Sequence, residues 1–395
     1  MSAVRLSLAG SLLLTALVGP SVAQGQPPRI QSGVDLVMVD AQVVDGRGRP
    51  IGNLTPSDFR VFVDGRRRDV VSAEFVDYTR GAGADAGTIP AAPAGDRPGP
   101  RRMYVIAVDE HSIRVGAAHS AMEAARRFVA RLQPSDLVGL YSFPTPAAQL
   151  DLTDDHARVL EGLRRVRALY EPHFSQFSIS PSEAIDIANG DREVTRRVQQ
   201  RECRNDAHCA RLIPLEANAI AIGFEMEAMR SLGGLRELLA GLGRVPGRKT
   251  VVLVSGGLIM TDLGRGRVND SMRMQEVGAL AARSDVSLYG LHMDTRFQDA
   301  FAAFPRSRTF FREEGLFMAG LEMVTGAAGG ALFRLQTGNA DPAFDRVLLE
   351  TSAHYLLGVA VDEADRDGRA KDIRIQITRR GATVRGRSSV IIPPR

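Results

Sequence analysis

At 395 residues with 44% apolar content, the chain is long enough for two hydrophobic cores and too long for most single compact domains. Its net charge is +4, but basic and acidic residues interleave, only Arg66-Arg67-Arg68 clusters, and no aromatic residues alternate with the basic ones. That pattern argues against nucleic acid as a partner.

The chain opens with Arg5, an apolar run over residues 6–18, and Ser21-Val22-Ala23. This is the layout of a cleavable secretory signal over residues 1–23. The run is shorter than the roughly 20 residues a spanning helix needs, and polar Gln24 and Gln26 follow at once. The expectation is an exported protein, periplasmic or extracellular, cut near Ala23, with an uncleaved anchor as the alternative. No second long apolar stretch follows, so no transmembrane helix is expected in the mature chain. No lipobox cysteine follows either, which argues against a lipid anchor.

Residues 34–78 alternate with period two and are rich in β-branched side chains, with turns at Asp45-Gly46-Arg47-Gly48 and Asp64-Gly65, so the spacing predicts a small N-terminal β unit. A Gly, Ala, Pro and Asp segment over 79–100 reads as a linker. From 101 to 352 strands and helices alternate, which predicts an α/β domain around a mostly parallel sheet with helices on both faces. Its buried strands are 103–108, ending on Asp109, 251–254, ending on Ser255-Gly256-Gly257, and 286–291, followed by His292. A hairpin through Ser142 and residues 149–152 is expected at the sheet edge. A helical insertion is expected over 171–242, containing Cys203 and Cys209. In an exported chain this pair suggests a disulfide that contributes about 2 kcal/mol and needs the helix to break at Arg204-Asn205-Asp206. A redox pair of the C-x-x-C kind would sit closer. Residues 353–395 return to period two, and the expectation is that they pair with 34–78 in a small β-sandwich, because three-stranded fragments are marginal alone.

The order of these pieces resembles the VWFA-related domain family of secreted bacterial, acidobacterial-type proteins. The resemblance spans nearly the whole mature chain and is carried by Val34-Asp35-Leu36-Val37, Asp45 to Pro50, Leu54-Thr55-Pro56-Ser57-Asp58-Phe59, Val63-Asp64-Gly65, Gly247-Arg248-Lys249-Thr250 and His354-Tyr355-Leu356-Leu357-Gly358. It implies a von Willebrand factor A-like, Rossmann-like fold. On their own chemistry these pieces look structural. Thr55 or Ser57 caps a short helix, Phe59 and Tyr355 fill a core, and Asp64-Gly65 turns a hairpin.

The resemblance also implies a divalent-cation site where strands end, with the pattern D-x-S-x-S after the first strand, a threonine in a second loop and an aspartate after the fourth strand. Asp109 matches, but His111 and Ile113 fill the serine positions, Ser112 is out of register, and Ser255-Gly256-Gly257 replaces the last aspartate, leaving Asp262 as the nearest carboxylate. The second loop, near 178–182, offers serines only. The expectation is a degenerate site and no required cofactor, with Mg²⁺ or Ca²⁺ the ions that resemblance admits. Asp109, His111 and Asp262 are the candidate metal ligands, and zinc lacks paired histidine spacing. No Gly-x-Ser-x-Gly elbow or phosphate loop is present. The preferred reading is a non-enzymatic binding module that recognises a protein or cell-envelope ligand through Ser112, Ser142, Ser255, Gly256 and His292. The alternatives are an envelope scaffold or complex subunit, and a hydrolase using Ser255 with His292.

Overall fold

The computed structural model describes residues 36–79, 101–114, 118–144, 148–170, 175–260, 270–293, 310–335 and 339–394. The segment expected to be a signal, most of the expected linker and residues 294–309 lie outside them.

The head of the chain forms strands β1 (Leu36–Val44), β2 (Phe59–Val63), β3 (Arg66–Arg68) and β4 (Val70–Asp77). The Asp64-Gly65 turn joins β2 to β3 with both residues in the left-handed region, at φ 47° and 75°, where Asp and Gly carry the least steric cost. Before β2, Thr55 and Asp58 form a reciprocal capping box around a single 3₁₀ turn.

The α/β segment runs β5 (Met103–Asp109), α1 (Ala118–Ala130), β6 (Leu137–Phe143), β7 (Gln149–Thr153), α2 (His156–Leu163), α3 (Pro181–Ala188), α4 (Arg192–Cys203), α5 (Ala207–Leu242), β8 (Lys249–Ser255), α6 (Asp270–Arg283), β9 (Val286–Met293), α7 (Phe310–Ala327), β10 (Leu332–Leu335) and α8 (Asp341–Glu350). The sheet order is β10-β9-β8-β5-β6-β7. All neighbours are parallel except the β6–β7 hairpin at the edge. Side chains alternate between two cores. Tyr104, Ile106, Val108, Val252 and Val254 face the layer holding Phe128 and Phe344, while Val105, Ala107, Val251 and Leu253 face Leu232, Leu235 and Leu239. Cover on both faces explains why β8 and β9 are buried at every position and read as unbroken aliphatic runs.

Side-chain caps set the helix starts in the middle section. Asp155, Ser180, Asp191 and Asp206 each accept a backbone N–H from the first turn of α2, α3, α4 and α5 respectively, replacing a missing intrahelical partner. Cys203 ends α4 and is disulfide-bonded to Cys209 in the first turn of α5, with Arg204 at φ 53° turning the chain between them. The expected insertion, 171–242, is not inserted throughout. The second half of α5 covers the sheet through Ala228, Leu232, Leu235, Leu238, Leu239 and Leu242, whereas α3, α4 and the first half of α5 enclose a separate apolar cluster around Ile213, Ala217 and Phe224.

The tail supplies β11 (Ala353–Ala360), β12 (Ala370–Ile377), β13 (Thr383–Arg385) and β14 (Ser389–Ile391). These interleave with the head in two four-stranded sheets, β13-β1-β11-β4 and β14-β12-β2-β3. Both sheets contribute to one apolar cluster containing Val39, Phe59, Val61, Tyr355, Leu357 and Ile373. The Tyr355 ring lies edge-on to Phe59 at 5.3 Å. Its hydroxyl donates to the Ile51 carbonyl and accepts the Leu54 amide, both at 3.0 Å, so one side chain fills the core and ties down the loop before β2.

Charged groups fasten these strands to the α/β segment. Fully buried Glu350 of α8 takes Arg385 and Arg346, each at 2.7 Å. Arg387 bridges Asp285 at 2.7 Å and Asp40 at 3.1 Å, and the Tyr289 hydroxyl donates to Gln42 at 2.6 Å. His354 of β11 is buried in this seam against Tyr78, with ring centroids 5.6 Å apart. Asp40 lies 3.5 Å from its Nε2, yet burial, reinforced by the Arg248 guanidinium, pushes the imidazole down to about 3. The unfolded value is near 6.5, so the fold's preference for neutral His354 is fully present above that pH and is lost as the pH falls toward 3. His354→Phe is expected to remove acid sensitivity on the order of 3 kcal/mol between pH 6.5 and pH 4. Urea unfolding of both proteins at several pH values reads this, and parallel stability curves for the two would contradict it.

Candidate functional site

The chain leaves β5 toward β6 on one side, while β8, on the other side, is followed by β9 and β10. Between β5 and β8 the sheet therefore reverses its winding, and open α/β sheets leave a crevice beyond the strand ends at such a point. Asp109 ends β5 and Ser255 ends β8, so both side chains reach this crevice.

Asp109 is almost wholly buried. Its Oδ2 accepts hydrogen bonds from Ser231 Oγ at 2.8 Å and Ser255 Oγ at 3.3 Å. Ser112 Oγ lies 3.0 Å from Ser255 Oγ, donates to the Asp109 carbonyl at 2.9 Å and accepts the Gly256 amide at 2.8 Å. The second carboxylate oxygen, Oδ1, is buried and has no hydrogen-bond partner among the described residues. Burial pushes the Asp109 carboxyl up to about 6 in spite of the three hydroxyls, and the charge of Glu227 adds to the rise. Next to this cluster is a cavity of about 30 Å³ lined in part by His111, Ser112, Glu227, Arg230, Ser231 and Gly257. That volume holds a small ion or two or three waters, at roughly 10–15 Å³ each, and is far below the few hundred Å³ of a metabolite pocket.

Two of these hydroxyls escape a reading by motif. Ser112 stands out of register with D-x-S-x-S, but residues 110–112 form a 3₁₀ turn, which repeats every three residues and brings Ser112 back over Asp109. Ser231 comes from α5 and not from a loop. In the sequence it is the polar member of the stripe Phe224, Ala228, Ser231, Leu235, Leu238 and Leu242, whose spacing of four and three is a buried helix face. A lone hydroxyl on such a face was the available signal. The loop expected to supply hydroxyls, 178–182, uses them elsewhere: Ser180 caps α3, and Ser182 donates to Glu313 at 2.5 Å.

The other candidates are placed as follows. His111 lies in the 3₁₀ turn and lines the cavity, and Asp262 lies outside the described residues. Ser142 is fully buried and accepts the Ala148 amide at 2.9 Å, closing the β6–β7 hairpin. Glu110 is also buried and accepts the Arg167 amide at 2.9 Å, anchoring the segment after α2. His292 is buried on β9 and pairs in register with Ser255. The Ser255 hydroxyl, however, lies within hydrogen-bonding distance of the Ser112 hydroxyl, the Asp109 carboxylate and the Gly257 backbone. A Ser255 nucleophile activated by His292 lacks the nucleophile–base hydrogen bond that such chemistry requires.

No protein-family model and no curated protein matches this chain.

Gly256 is where the two loops meet. A methyl group there would run into the Ser112 carbonyl, which is backbone and has no rotamer to give. Gly256→Ala is expected to cost about 1–3 kcal/mol of stability, while Ser112→Ala costs about 1 kcal/mol. Chemical denaturation of the two variants reads the difference, and an unchanged midpoint for Gly256→Ala would contradict the close approach.

Proposed function

We propose that the chain is an exported, non-enzymatic recognition module of the von Willebrand factor A type, its α/β domain carried on a small β-sandwich built from both ends. The ligand is a protein or an envelope component that meets the face formed by the ends of β5 and β8. The observation that carries this reading is the Asp109, Ser112, Ser231 and Ser255 cluster, which gathers oxygen donors at the sheet's switch point beside a cavity too small for a metabolite. The bonded Cys203–Cys209 pair supports export.

The donor set fits a hard divalent cation, Mg²⁺ or Ca²⁺, because oxygen ligands dominate it and one buried carboxylate oxygen is left over. Asp109, Ser112, Ser231 and Ser255 would hold the ion, with Glu227 near enough to add charge. When bound, such an ion supplies residual positive charge that attracts a carboxylate from the partner. The chain's own groups orient the site: Gly256 fixes Ser112 through its amide, and Ser231 and Ser255 aim the Asp109 carboxylate. The spare cation valence that remains with neutral hydroxyl ligands suits capture of a partner more than hydrolysis.

Calorimetric titration of Mg²⁺, Ca²⁺, Mn²⁺ and Zn²⁺ into chelator-stripped mature protein tests this. Saturable binding of at least one of the first three is expected, abolished by Asp109→Ala and weakened about tenfold or more by Ser231→Ala. Silence with all four ions, or binding indifferent to Asp109, would overturn the cation reading.

A further inference from the structure

Helix α5 has a second apolar face. Residues Leu215, Ala219, Ile222, Met226, Met229 and Gly233 follow one another at spacings of four, three, four, three and four, the a/d repeat of a helix that packs along another helix. The four large ones are 68%, 38%, 47% and 46% exposed in order. None of them belongs to an apolar cluster of the described residues. The cores are served by the opposite face, through Ile213, Ala217, Ile220, Phe224, Ala228 and Leu232. The outer stripe, from Leu215 to Gly233, is 18 steps of 1.5 Å, or about 27 Å, long.

We propose that two copies of this chain pair through α5, antiparallel, about a two-fold axis at the level of Phe224. The 3.5-residue spacing selects a helix as the occupant, and the order of side-chain sizes selects a second copy in this direction. Antiparallel pairing sets Leu215 against the partner's Gly233, Ala219 against the partner's Met229 and Ile222 against the partner's Met226. Each layer thus joins large to small or two of similar size, and Gly233 offers open space, with nothing within 4 Å of where its side chain would be. Charge agrees. Glu216 and Arg230 flank the stripe on one edge, and the antiparallel pair brings each to the opposite charge on the other copy. Glu216 is held in place, since its Oε1 accepts from Ser175 and from the Phe177 amide. A parallel pair would set Leu215 on Leu215 and Gly233 on Gly233, leaving a hole at the glycine end and losing the Glu216–Arg230 match. The two-fold arrangement is isologous and closes on itself. It rests on α5 alone and stands whether or not Asp109 holds a cation.

Sedimentation velocity of the mature chain over a wide concentration range tests the pairing. A monomer–dimer equilibrium is expected. Met226→Glu should abolish it while leaving the melting temperature of the monomer unchanged, because the position is exposed. Ala219→Met should weaken it about tenfold by overfilling the layer with Met229, and Ala219→Met combined with Met229→Ala should restore it to within about threefold of the parent. A chain that stays monomeric at every concentration would overturn the proposal. So would a dimer indifferent to Met226→Glu, or a double variant no tighter than Ala219→Met alone.

Discussion

A carboxylate at the end of a strand that is covered on both faces must lose most of its water, and the region around Asp109 is arranged around that cost. Desolvation favours the neutral acid, and the upward push on Asp109 to about 6 is the measure of it. Ser231, Ser255 and Ser112 offset part of the penalty by hydrogen bonding, which requires three separate pieces of chain to converge. The 3₁₀ turn after β5, the glycine pair after β8 and the approach of α5 to the strand ends all serve this convergence. Even so, one oxygen of Asp109 has no donor among the described residues. An unpaired buried carboxylate oxygen is expensive.

The sheets built from the two chain ends play a different part. By pairing β1 with β11 and β2 with β12, the chain returns its end to its beginning, so that the α/β segment leaves from one small unit and comes back to it. The ion pairs of buried Glu350 and the partly exposed Arg387 bridge tie the two parts together. Removing one member of such a pair costs far more than the pair itself contributes, so these contacts fix the relative position of the parts more than they add to overall stability.

Much of this was legible in the sequence, and the limits have physical causes. Strands β5, β8 and β9 read clearly because cover on both faces demands uninterrupted aliphatic residues. The pairing of the ends followed from the weakness of isolated three-stranded pieces, and the disulfide from two nearby cysteines with a break at Arg204. The candidate site was only half legible. Asp109, Ser112 and Ser255 were singled out, but the spacing rule discounted Ser112 because a linear motif does not encode a 3₁₀ turn. Ser231 was missed because a hydroxyl at helical spacing is read as surface unless the helix is known to leave the insertion and cross onto the sheet. Ser142 misled for the converse reason: it lies near a strand end, but its hydroxyl is used by a backbone amide. The extent of the insertion was overread because α5 is continuous through the boundary, with no break in helical periodicity to mark where it begins to cover the sheet.

Crystals of the protein grown with Mn²⁺, with anomalous scattering recorded at the manganese edge, would show directly whether Asp109 holds a cation. A peak is expected in contact with Asp109 Oδ1 and within coordination distance of the Ser112, Ser231 or Ser255 hydroxyls. A well-ordered Asp109 carboxyl with no peak beside it, its second oxygen hydrogen-bonded to protein, would contradict the account.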